Sequence, residues 1–252
     1  SNDGDFVGNK GATDYFIIKL DAFGKLEWKK TFGGSRCDDA KTIQQTTDGG
    51  YIVAGYGCSN DGDVVGGNTS GNCWILKLSD IGSIEWQKSY GGSGYDEPYS
   101  IKQTIDGGYV FSGYTSSNNG DLTGHTIGED GWVVKLSKTG SIEWQNVYGG
   151  QYNQSAACIQ QTFDGGYILG GCQSNVCSIE DGDRDSWIVK LTKTGSVEWK
   201  NVIGGSNDDE VKFLQQTKDG GYILANTSWS SDSNITNKGN SDYWIVKFNT
   251  NG

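Results

Sequence analysis

Asp48-Gly49-Gly50-Tyr51 is the stretch that decides the fold, because this sequence returns three more times at intervals of 58, 58 and 55 residues. The later copies are Asp106-Gly107-Gly108-Tyr109, Asp164-Gly165-Gly166-Tyr167 and Asp219-Gly220-Gly221-Tyr222. The same intervals separate a tryptophan and a glycine pair, at Trp28, Trp86, Trp144 and Trp199, and at Gly33-Gly34, Gly91-Gly92, Gly149-Gly150 and Gly204-Gly205. Such a repeat indicates a row or ring of one supersecondary unit, since a single unit cannot bury its own apolar faces.

One repeat unit contains four segments with the composition of β-strands. The expected strands of the second unit are residues 41–46, 51–56, 74–78 and 83–88. Asp48-Gly49-Gly50 forms the hairpin turn between the first two, because glycine adopts the positive φ that tight turns require. No segment shows a sustained apolar period of 3.6, so we expect essentially no helix. The sequence predicts an all-β fold, a β-propeller built from four-stranded antiparallel blades of about 58 residues.

The unbroken repeat predicts a single repeat domain over residues 1–252. Its approximate units are 1–34 (partial), 35–92, 93–150, 151–205 and 206–252 (partial). Seventeen strands are expected, a number that fits neither four nor five complete blades. We expect a four-bladed ring, an arc of a larger ring, or self-assembly in which other protein chains add strands to the unpaired edges. Because the chain begins at Ser1 and has no methionine, we expect it to be a segment of a longer protein.

Charge and composition exclude several classes of partner. The formal net charge is -11, and no Lys or Arg cluster is present that could neutralise phosphates, so no nucleic-acid partner is expected. No apolar stretch approaches the length of a membrane span, so no membrane insertion is expected. Only 34% of the residues are hydrophobic, and the core must therefore come from a few large side chains, among them 9 Trp and 13 Tyr.

The six cysteines suggest local disulfide bonds. Cys58 and Cys73 bracket one long loop, and Cys172 and Cys177 lie within the corresponding loop two units later. Disulfides within these two loops are the preferred interpretation, and free buried thiols are the alternative. Disulfides indicate an oxidising environment, so we expect an extracellular location, secreted or at the cell surface. With His125 as the sole histidine, no zinc site is expected.

A lysine recurs in the apolar third strand of each unit. A glutamate follows eight residues after the first four of these lysines, across the expected hairpin. The lysines are Lys19, Lys77, Lys135, Lys190 and Lys247, and the glutamates are Glu27, Glu85, Glu143 and Glu198. We interpret each pair as a structural cross-strand ion pair rather than a ligand-binding group.

Acidic loops between the second and third strands are candidate calcium sites, because calcium takes six to eight oxygen ligands. The candidate ligands are Asp3, Asp5, Asp61, Asp63, Asp121, Asp181 and Asp183. Asx and glycine turns without an ion are the alternative, since the full twelve-residue calcium loop is absent. Calcium is therefore a possible cofactor, and no other cofactor is expected.

Carboxylates also gather after each glycine pair, at Asp38-Asp39, Asp96-Glu97 and Asp208-Asp209-Glu210. Paired carboxylates can hydrolyse glycosides, but that reaction needs one asymmetric pair. A set of similar acids in successive units indicates a solvated rim instead. His125 has no recognisable serine elbow to work with, so no catalytic residue is predicted.

The segment Leu20-Asp21-Ala22-Phe23-Gly24-Lys25-Leu26-Glu27-Trp28 resembles the tryptophan-docking repeat of PQQ-like β-propellers. Weaker copies follow at 78–86, 136–144 and 191–199, and the whole unit is similar to tandem repeats in secreted or surface proteins of bacteria. The resemblance implies that Trp28, Trp86, Trp144 and Trp199 dock between neighbouring blades. Quinoprotein dehydrogenases with this repeat hold PQQ against adjacent cysteines, and no two cysteines are adjacent here, so PQQ is not expected.

Three functions remain open at this point. The first is a non-catalytic extracellular scaffold for adhesion, ligand display or the assembly of a surface layer or fibre. The second is a lectin-like propeller that binds carbohydrate on exposed aromatic side chains, for which the candidates are Trp229, Tyr95, Tyr114 and Tyr152. The third, an extracellular hydrolase or lyase, is suggested by the fold alone.

Overall fold

A computed structural model describes residues 8–122, 128–149, 153–174, 184–232 and 235–252, and within these ranges it contains seventeen β-strands and no helix. The predicted all-β class is confirmed. The strands are β1 (Tyr15–Leu20), β2 (Leu26–Phe32), β3 (Asp38–Gln45), β4 (Tyr51–Gly57), β5 (Asn72–Leu78), β6 (Ile84–Tyr90), β7 (Asp96–Gln103), β8 (Tyr109–Thr115), β9 (Asp130–Leu136), β10 (Ile142–Tyr148), β11 (Gln154–Gln161), β12 (Tyr167–Ser174), β13 (Arg184–Leu191), β14 (Val197–Ile203), β15 (Asp209–Gln216), β16 (Tyr222–Ser228) and β17 (Asp242–Phe248).

The strands pair antiparallel in chain order to form five sheets, which are the blades of the propeller. Sheet I is β1-β2, sheet II is β3 to β6, sheet III is β7 to β10, sheet IV is β11 to β14 and sheet V is β15 to β17. The first strands of sheets II to V contact one another in sequence, so they line the inner side of the array. Strands from the two ends of the chain lie in separate sheets, and the blade number of a closed ring stays a prediction.

Each blade has two different ends. We call the turn end the one with the Asp-Gly-Gly-Tyr hairpins and the tight turns between third and fourth strands, such as Ser79–Ser83. The loop end carries the glycine pairs and the long loops between second and third strands. Gly49 at the turn end has a φ of 87°, which explains why glycine occupies this position of the hairpin.

The core consists of the layers between successive sheets. In β5 the side chains of Trp74 and Leu76 pack against sheet I, on Tyr15 and Ile17. Ile75, on the opposite face of the same strand, packs against sheet III. All seven residues of β5 are buried, as are those of β9. The continuous apolar runs of the third strands therefore pack on both faces, as the sequence predicts.

The repeated tryptophans of the fourth strands dock on the next blade, as the resemblance implies. Trp28 packs edge-on against Tyr51 with 5.7 Å between ring centroids, and its indole N–H donates to the Asp80 carbonyl at 3.0 Å. The tyrosine belongs to the Asp-Gly-Gly-Tyr hairpin of the following sheet. The same edge-on contact recurs in the pairs Trp86–Tyr109, Trp144–Tyr167 and Trp199–Tyr222. The hairpin motif and the tryptophan motif are thus two halves of one contact.

The repeated lysines form the predicted ion pairs with glutamate, through a β-bulge. Lys77 lies opposite Trp86, and the register shifts there so that Glu85 becomes the extra residue of the bulge. The Lys77 ammonium group is 2.9 Å from Glu85 and 3.0 Å from Asp48 of the hairpin turn. Lys135 and Lys190 make equivalent pairs with Glu143 and Asp106, and with Glu198 and Asp164. Each of these nearly buried ammonium groups is therefore held by two carboxylates of its own blade.

We expect Trp132→Ala to lower the free energy of unfolding by about 3–5 kcal/mol, since its fully buried indole fills the layer between sheets II and III. The matched control is Phe23→Ala, which removes an aromatic ring that is 95% exposed and should change stability by less than about 0.5 kcal/mol. Urea denaturation followed by circular dichroism measures both values. Equal effects of the two substitutions would contradict this account of the core.

Stability should fall in acid because of the hairpin aspartates. A hydrogen bond from the Thr46 hydroxyl, followed by the pairing with Lys77, lowers the pKa of Asp48 from 3.8 to about 2. The pKa of Asp106 and of Asp164 is also lowered to about 2, although burial acts to raise it. A depressed carboxyl pKa contributes stability above its unfolded value, and this contribution is lost as the pH falls from about 4 through the folded value.

Urea midpoints measured between about pH 5 and pH 2 test this expectation. The wild-type midpoint should fall more steeply in this window than that of the triple variant Asp48→Asn, Asp106→Asn, Asp164→Asn, in which these three groups no longer titrate. Parallel pH profiles for the two proteins would show that the hairpin aspartates do not carry the effect.

Candidate functional site

Buried aspartates tie the loop end together. Asp38 accepts hydrogen bonds from the Gly34 amide at 2.8 Å and from the Ser59 hydroxyl at 2.7 Å. Equivalent bonds join Asp96 to Gly92 and Ser117, and Asp209 to Gly205 and Ser230. The three carboxylates have no solvent exposure. The prediction of a solvated acidic rim is therefore wrong at these positions, because each aspartate joins its glycine pair to the long loop of its own blade.

The described calcium candidates bond to backbone amides. Asp61 accepts the Ser35 amide at 2.7 Å, Asp63 accepts the Gly33 amide at 3.1 Å, and Asp121 accepts the Gly91 amide at 3.0 Å. Asp3, Asp5, Asp181 and Asp183 lie outside the described residues. Among the residues that the structure covers, no group of three or more His, Cys, Asp or Glu is arranged to hold a metal ion. The calcium site stays a prediction.

Four tyrosines pack against one another at the loop end. Tyr95 lies between Tyr56 and Tyr114, with ring centroids 4.5 Å and 5.5 Å away, and its ring is stacked on that of Tyr114. Tyr99 contacts the other side of the group, 5.7 Å from Tyr114. Tyr56 comes from sheet II, Tyr99 and Tyr114 come from sheet III, and Tyr95 directly precedes β7. We call these four residues the tyrosine cluster.

A cleft of about 270 Å³ lies beside the tyrosine cluster, between sheets III and IV. Tyr99 and Tyr114 form its aromatic wall. Its polar lining includes Glu129 directly before β9, Asn153 directly before β11, and Arg184 at the start of β13. The cleft thus brings together two aromatic rings, a carboxylate, an amide and a guanidinium group. This combination of apolar wall and a few converging polar groups is typical of a small-molecule site.

Ion pairs join neighbouring sheets on either side of the cleft, and one of their members, Arg184, lines it. Lys41 of sheet II is 2.8 Å from the buried carboxylate of Glu97 in sheet III. Arg184 of sheet IV is 2.9 Å from Asp208 and 2.8 Å from Glu210, both at the start of sheet V. Burial raises the pKa of Asp208, but the hydrogen bonds from Arg184 outweigh burial and the net pKa is lowered. Asp208 and Glu210 thus serve as carboxylate partners of Arg184.

The tyrosine hydroxyls remain neutral hydrogen-bonding groups over a wide pH range. Burial raises the pKa of Tyr99, and the negative charge of Glu97 raises it further. Burial also raises the pKa of Tyr114, and it raises that of Tyr56 to about 12. Each phenol can therefore both donate and accept a hydrogen bond at neutral pH.

The structure brings together two of the four predicted aromatic residues. Tyr95 and Tyr114 belong to the tyrosine cluster, whereas Tyr152 and also His125 lie outside the described residues. Trp229 is 39% exposed at the loop end of sheet V, where its amide donates to the Asp208 carbonyl, and it does not line the cleft.

Sequence reasoning missed Tyr56, Tyr99, Glu129 and Arg184, although the repeat contains a signal for two of them. When the repeat units are aligned, residues at equivalent positions are alike where they build the blade. They differ at the loop end, near the inner side of the array. One such position holds Tyr56, Tyr114, Cys172 and Thr227, another holds Lys41, Tyr99, Ala157 and Lys212, and a third holds Cys37, Tyr95, Asn153 and Asp208. Positions that vary between otherwise similar units are those free to serve a unit-specific site.

The predicted disulfide between Cys58 and Cys73 is not formed. Cys37, Cys58, Cys73, Cys158 and Cys172 are free thiols, and Cys177 lies outside the described residues. Cys73 lies opposite Tyr56 in the β4–β5 ladder and is fully buried in the layer against sheet III. Cys58 instead lies next to Cys37, whose amide donates to the Cys58 sulfur at 3.2 Å. The expected pairing was wrong because cysteines at the two ends of a loop need not face each other. Cys73 lies on the face of β5 that is buried against sheet III.

On mild oxidation with glutathione disulfide we expect Cys58 to form a disulfide with Cys37. The Cys58 amide donates to the Cys37 carbonyl at 3.1 Å, so the two residues lie across an antiparallel pair, a geometry compatible with the roughly 4.4–6.8 Å Cα spacing of disulfides. Peptide mapping of the oxidised protein identifies the linkage, and Cys37→Ser is the control in which Cys58 should stay unlinked. A Cys58–Cys73 peptide would show that this expectation is wrong.

Comparison with known proteins gives similarity to solved structures only. No family model and no curated protein matches the chain. A protein of unknown function from Bacteroides caccae is 12% identical over 97% of this chain and 89% of its own, with a TM-score of 0.42. A mannose phosphorylase from Leishmania mexicana, in complex with phosphate ion, is 9% identical over 83% of this chain and 69% of its own, with a TM-score of 0.40. At this level of similarity neither structure carries an argument about what this chain does.

Proposed function

We propose that the chain is a non-catalytic extracellular scaffold whose loop end binds a carbohydrate unit in the cleft beside the tyrosine cluster. The observation that carries the proposal is the convergence of Tyr99 and Tyr114 with Glu129, Asn153 and Arg184 around one cleft. Residues from sheets III and IV both contribute, so the site exists only when the blades are stacked. The repeat then serves as a rigid frame for a single binding site.

The aromatic wall suits a sugar ring. A sugar presents apolar C–H groups on one face and hydroxyls around its edge, and tyrosine offers an apolar ring with a polar tip. Because Tyr95 stacks on Tyr114, the wall is supported from behind. A ligand would therefore meet rings that are already ordered, which reduces the entropy lost on binding.

The polar groups suit hydroxyls rather than an isolated charge. Glu129 accepts hydrogen bonds, Arg184 donates them, and the Asn153 amide does both. Arg184 is already neutralised by Asp208 and Glu210, so it has less to gain from an anionic ligand. The cleft volume of about 270 Å³ is slightly below the range of about 300–1,000 Å³ for pockets of drug-sized ligands, which fits a unit as small as one sugar ring.

Binding rather than hydrolysis is proposed because two nearby acids have other partners. Glu97 pairs with Lys41, and Asp208 pairs with Arg184, whose hydrogen bonds lower the pKa of Asp208, whereas a general acid must hold its proton near neutral pH. The extracellular location is part of the proposal, although the five described cysteines are free thiols and do not provide the disulfide bonds that first suggested it.

A glycan array followed by calorimetry on the best ligand tests the proposal. Tyr114→Ala should weaken binding at least about tenfold, equivalent to about 1.4 kcal/mol, because it removes one ring of the aromatic wall. Tyr243→Ala is the matched control: this tyrosine is 90% exposed on sheet V and should leave affinity unchanged.

A further variant decides between two sites at the loop end. Trp229→Ala should leave binding unchanged, since Trp229 is not part of the cleft. Loss of binding in Trp229→Ala with full binding in Tyr114→Ala would move the site to sheet V. Absence of binding to every glycan on the array would reject the carbohydrate proposal.

A further inference from the structure

One position of the repeat lies at the loop end, where one sheet meets the next. It comes three residues before the position of Trp74 in the third strand, and we call it the junction position. Its residues are Thr13, Gly71, Glu129, Arg184 and Ser241. In three units the carbonyl at this position accepts an amide hydrogen bond from the first residue of the next sheet: Thr13 from Asp38 at 2.8 Å, Gly71 from Asp96 at 3.1 Å and Glu129 from Gln154 at 2.7 Å. Only Glu129 and Arg184 of this set carry a charge, and both line the cleft.

Arg184 has its counter-charges within the protein. Its guanidinium group is 2.9 Å from Asp208 and 2.8 Å from Glu210, at the start of the next sheet. Lys212 also pairs with Glu210, so two cations and two carboxylates balance one another. Arg184 therefore adds no net charge to the cleft.

Glu129 has no such partner. The positions that Asp208 and Glu210 occupy in sheet V are held at the start of sheet IV by Asn153 and Ser155, which are uncharged and line the cleft. The backbone arrangement of the junction is kept, since the Glu129 amide lies 3.5 Å from the Asn153 side-chain oxygen. Within the described ranges no ion pair includes Glu129. The lining of the cleft thus has one negative charge without a counter-charge.

The aromatic wall beside Glu129 also favours a cation. The face of a tyrosine ring attracts a positive charge, and Tyr99 and Tyr114 line the same cleft as the carboxylate. Burial raises the pKa of Tyr114, and the charge of Glu129 adds to the rise, so the phenol stays neutral beside the carboxylate. A ligand cation in the cleft would therefore gain both from the carboxylate and from the rings.

We propose that the carbohydrate unit bound in the cleft carries a free amino group, whose ammonium pairs with Glu129 beside the tyrosine rings. The inference rests on the proposed function, because it concerns the same cleft. An amino sugar brings one positive charge together with hydroxyls that can bond to Asn153 and Arg184. A neutral sugar would leave the charge of Glu129 without a counter-charge, and an acidic sugar would meet it with a charge of the same sign.

The test is a glycan array that presents each hexosamine as the free amine, as the N-acetyl derivative and as the parent hexose, followed by calorimetry on the best set. The free amine should bind at least about tenfold more tightly than its two neutral counterparts, since only the amine offers a cation to Glu129. Glu129→Gln should lower the affinity for the amine to that for the neutral counterparts and leave their affinity unchanged. Circular dichroism should show an unchanged fold, because the junction bonds of Glu129 use its backbone.

Asp80→Asn is the matched control, because it removes one negative charge from an exposed position at the turn end and should keep the preference for the amine. Equal loss of the preference in both variants would overturn the inference, since overall charge would then select the amine. Retention of the preference in Glu129→Gln would also overturn it. Binding of neutral sugars as tight as that of the amine would overturn this inference and leave the proposed carbohydrate site standing. Absence of binding to every glycan would reject both.

Discussion

The contact between the two unlike faces of successive sheets is the interaction on which the rest of this structure depends. A four-stranded sheet with apolar side chains on both faces has no stable isolated state in water, because each face needs a cover. In sheet II, one face carries Trp74, which packs against sheet I, and the other carries Ile75, which packs against sheet III. The edge-on contact of Trp28 with Tyr51 then joins the last strand of sheet I to the hairpin of sheet II. Hairpin, tryptophan and core are therefore one cooperative arrangement.

The turn end and the loop end of a blade have different roles. At the turn end, Lys77 with Asp48 and Glu85 satisfies a nearly buried ammonium group, and the same trio recurs in the next two sheets. At the loop end, Asp38 and its equivalents hold the glycine pairs, which leaves neighbouring positions such as those of Tyr95 and Tyr114 free to differ. A rigid frame with variable positions at one end is a sound basis for recognition.

Periodicity predicted the blades well because it reports directly on local geometry. Strand number, the ion pair of Lys77 with Glu85 and the docking of Trp28 all depend on residues close in sequence or one unit apart. The bulge that directs Glu85 towards Lys77 was not predictable from spacing, since the bulge changes which residues lie opposite. Cys73 was misjudged for a related reason, because loop length says nothing about the face a side chain occupies. The cleft joins Tyr99 to Arg184 across two sheets, a contact set by blade stacking that no local pattern contains.

The unlike faces give the array a direction, and this has an evolutionary consequence. Every internal junction uses the same pair of surfaces, so a gene that gained or lost one unit of 58 residues by recombination would recreate an equivalent junction at the point of change. The number of repeat units can therefore change between lineages without disrupting the junctions between sheets. A cleft shared by two adjacent sheets would be inherited or lost as a unit.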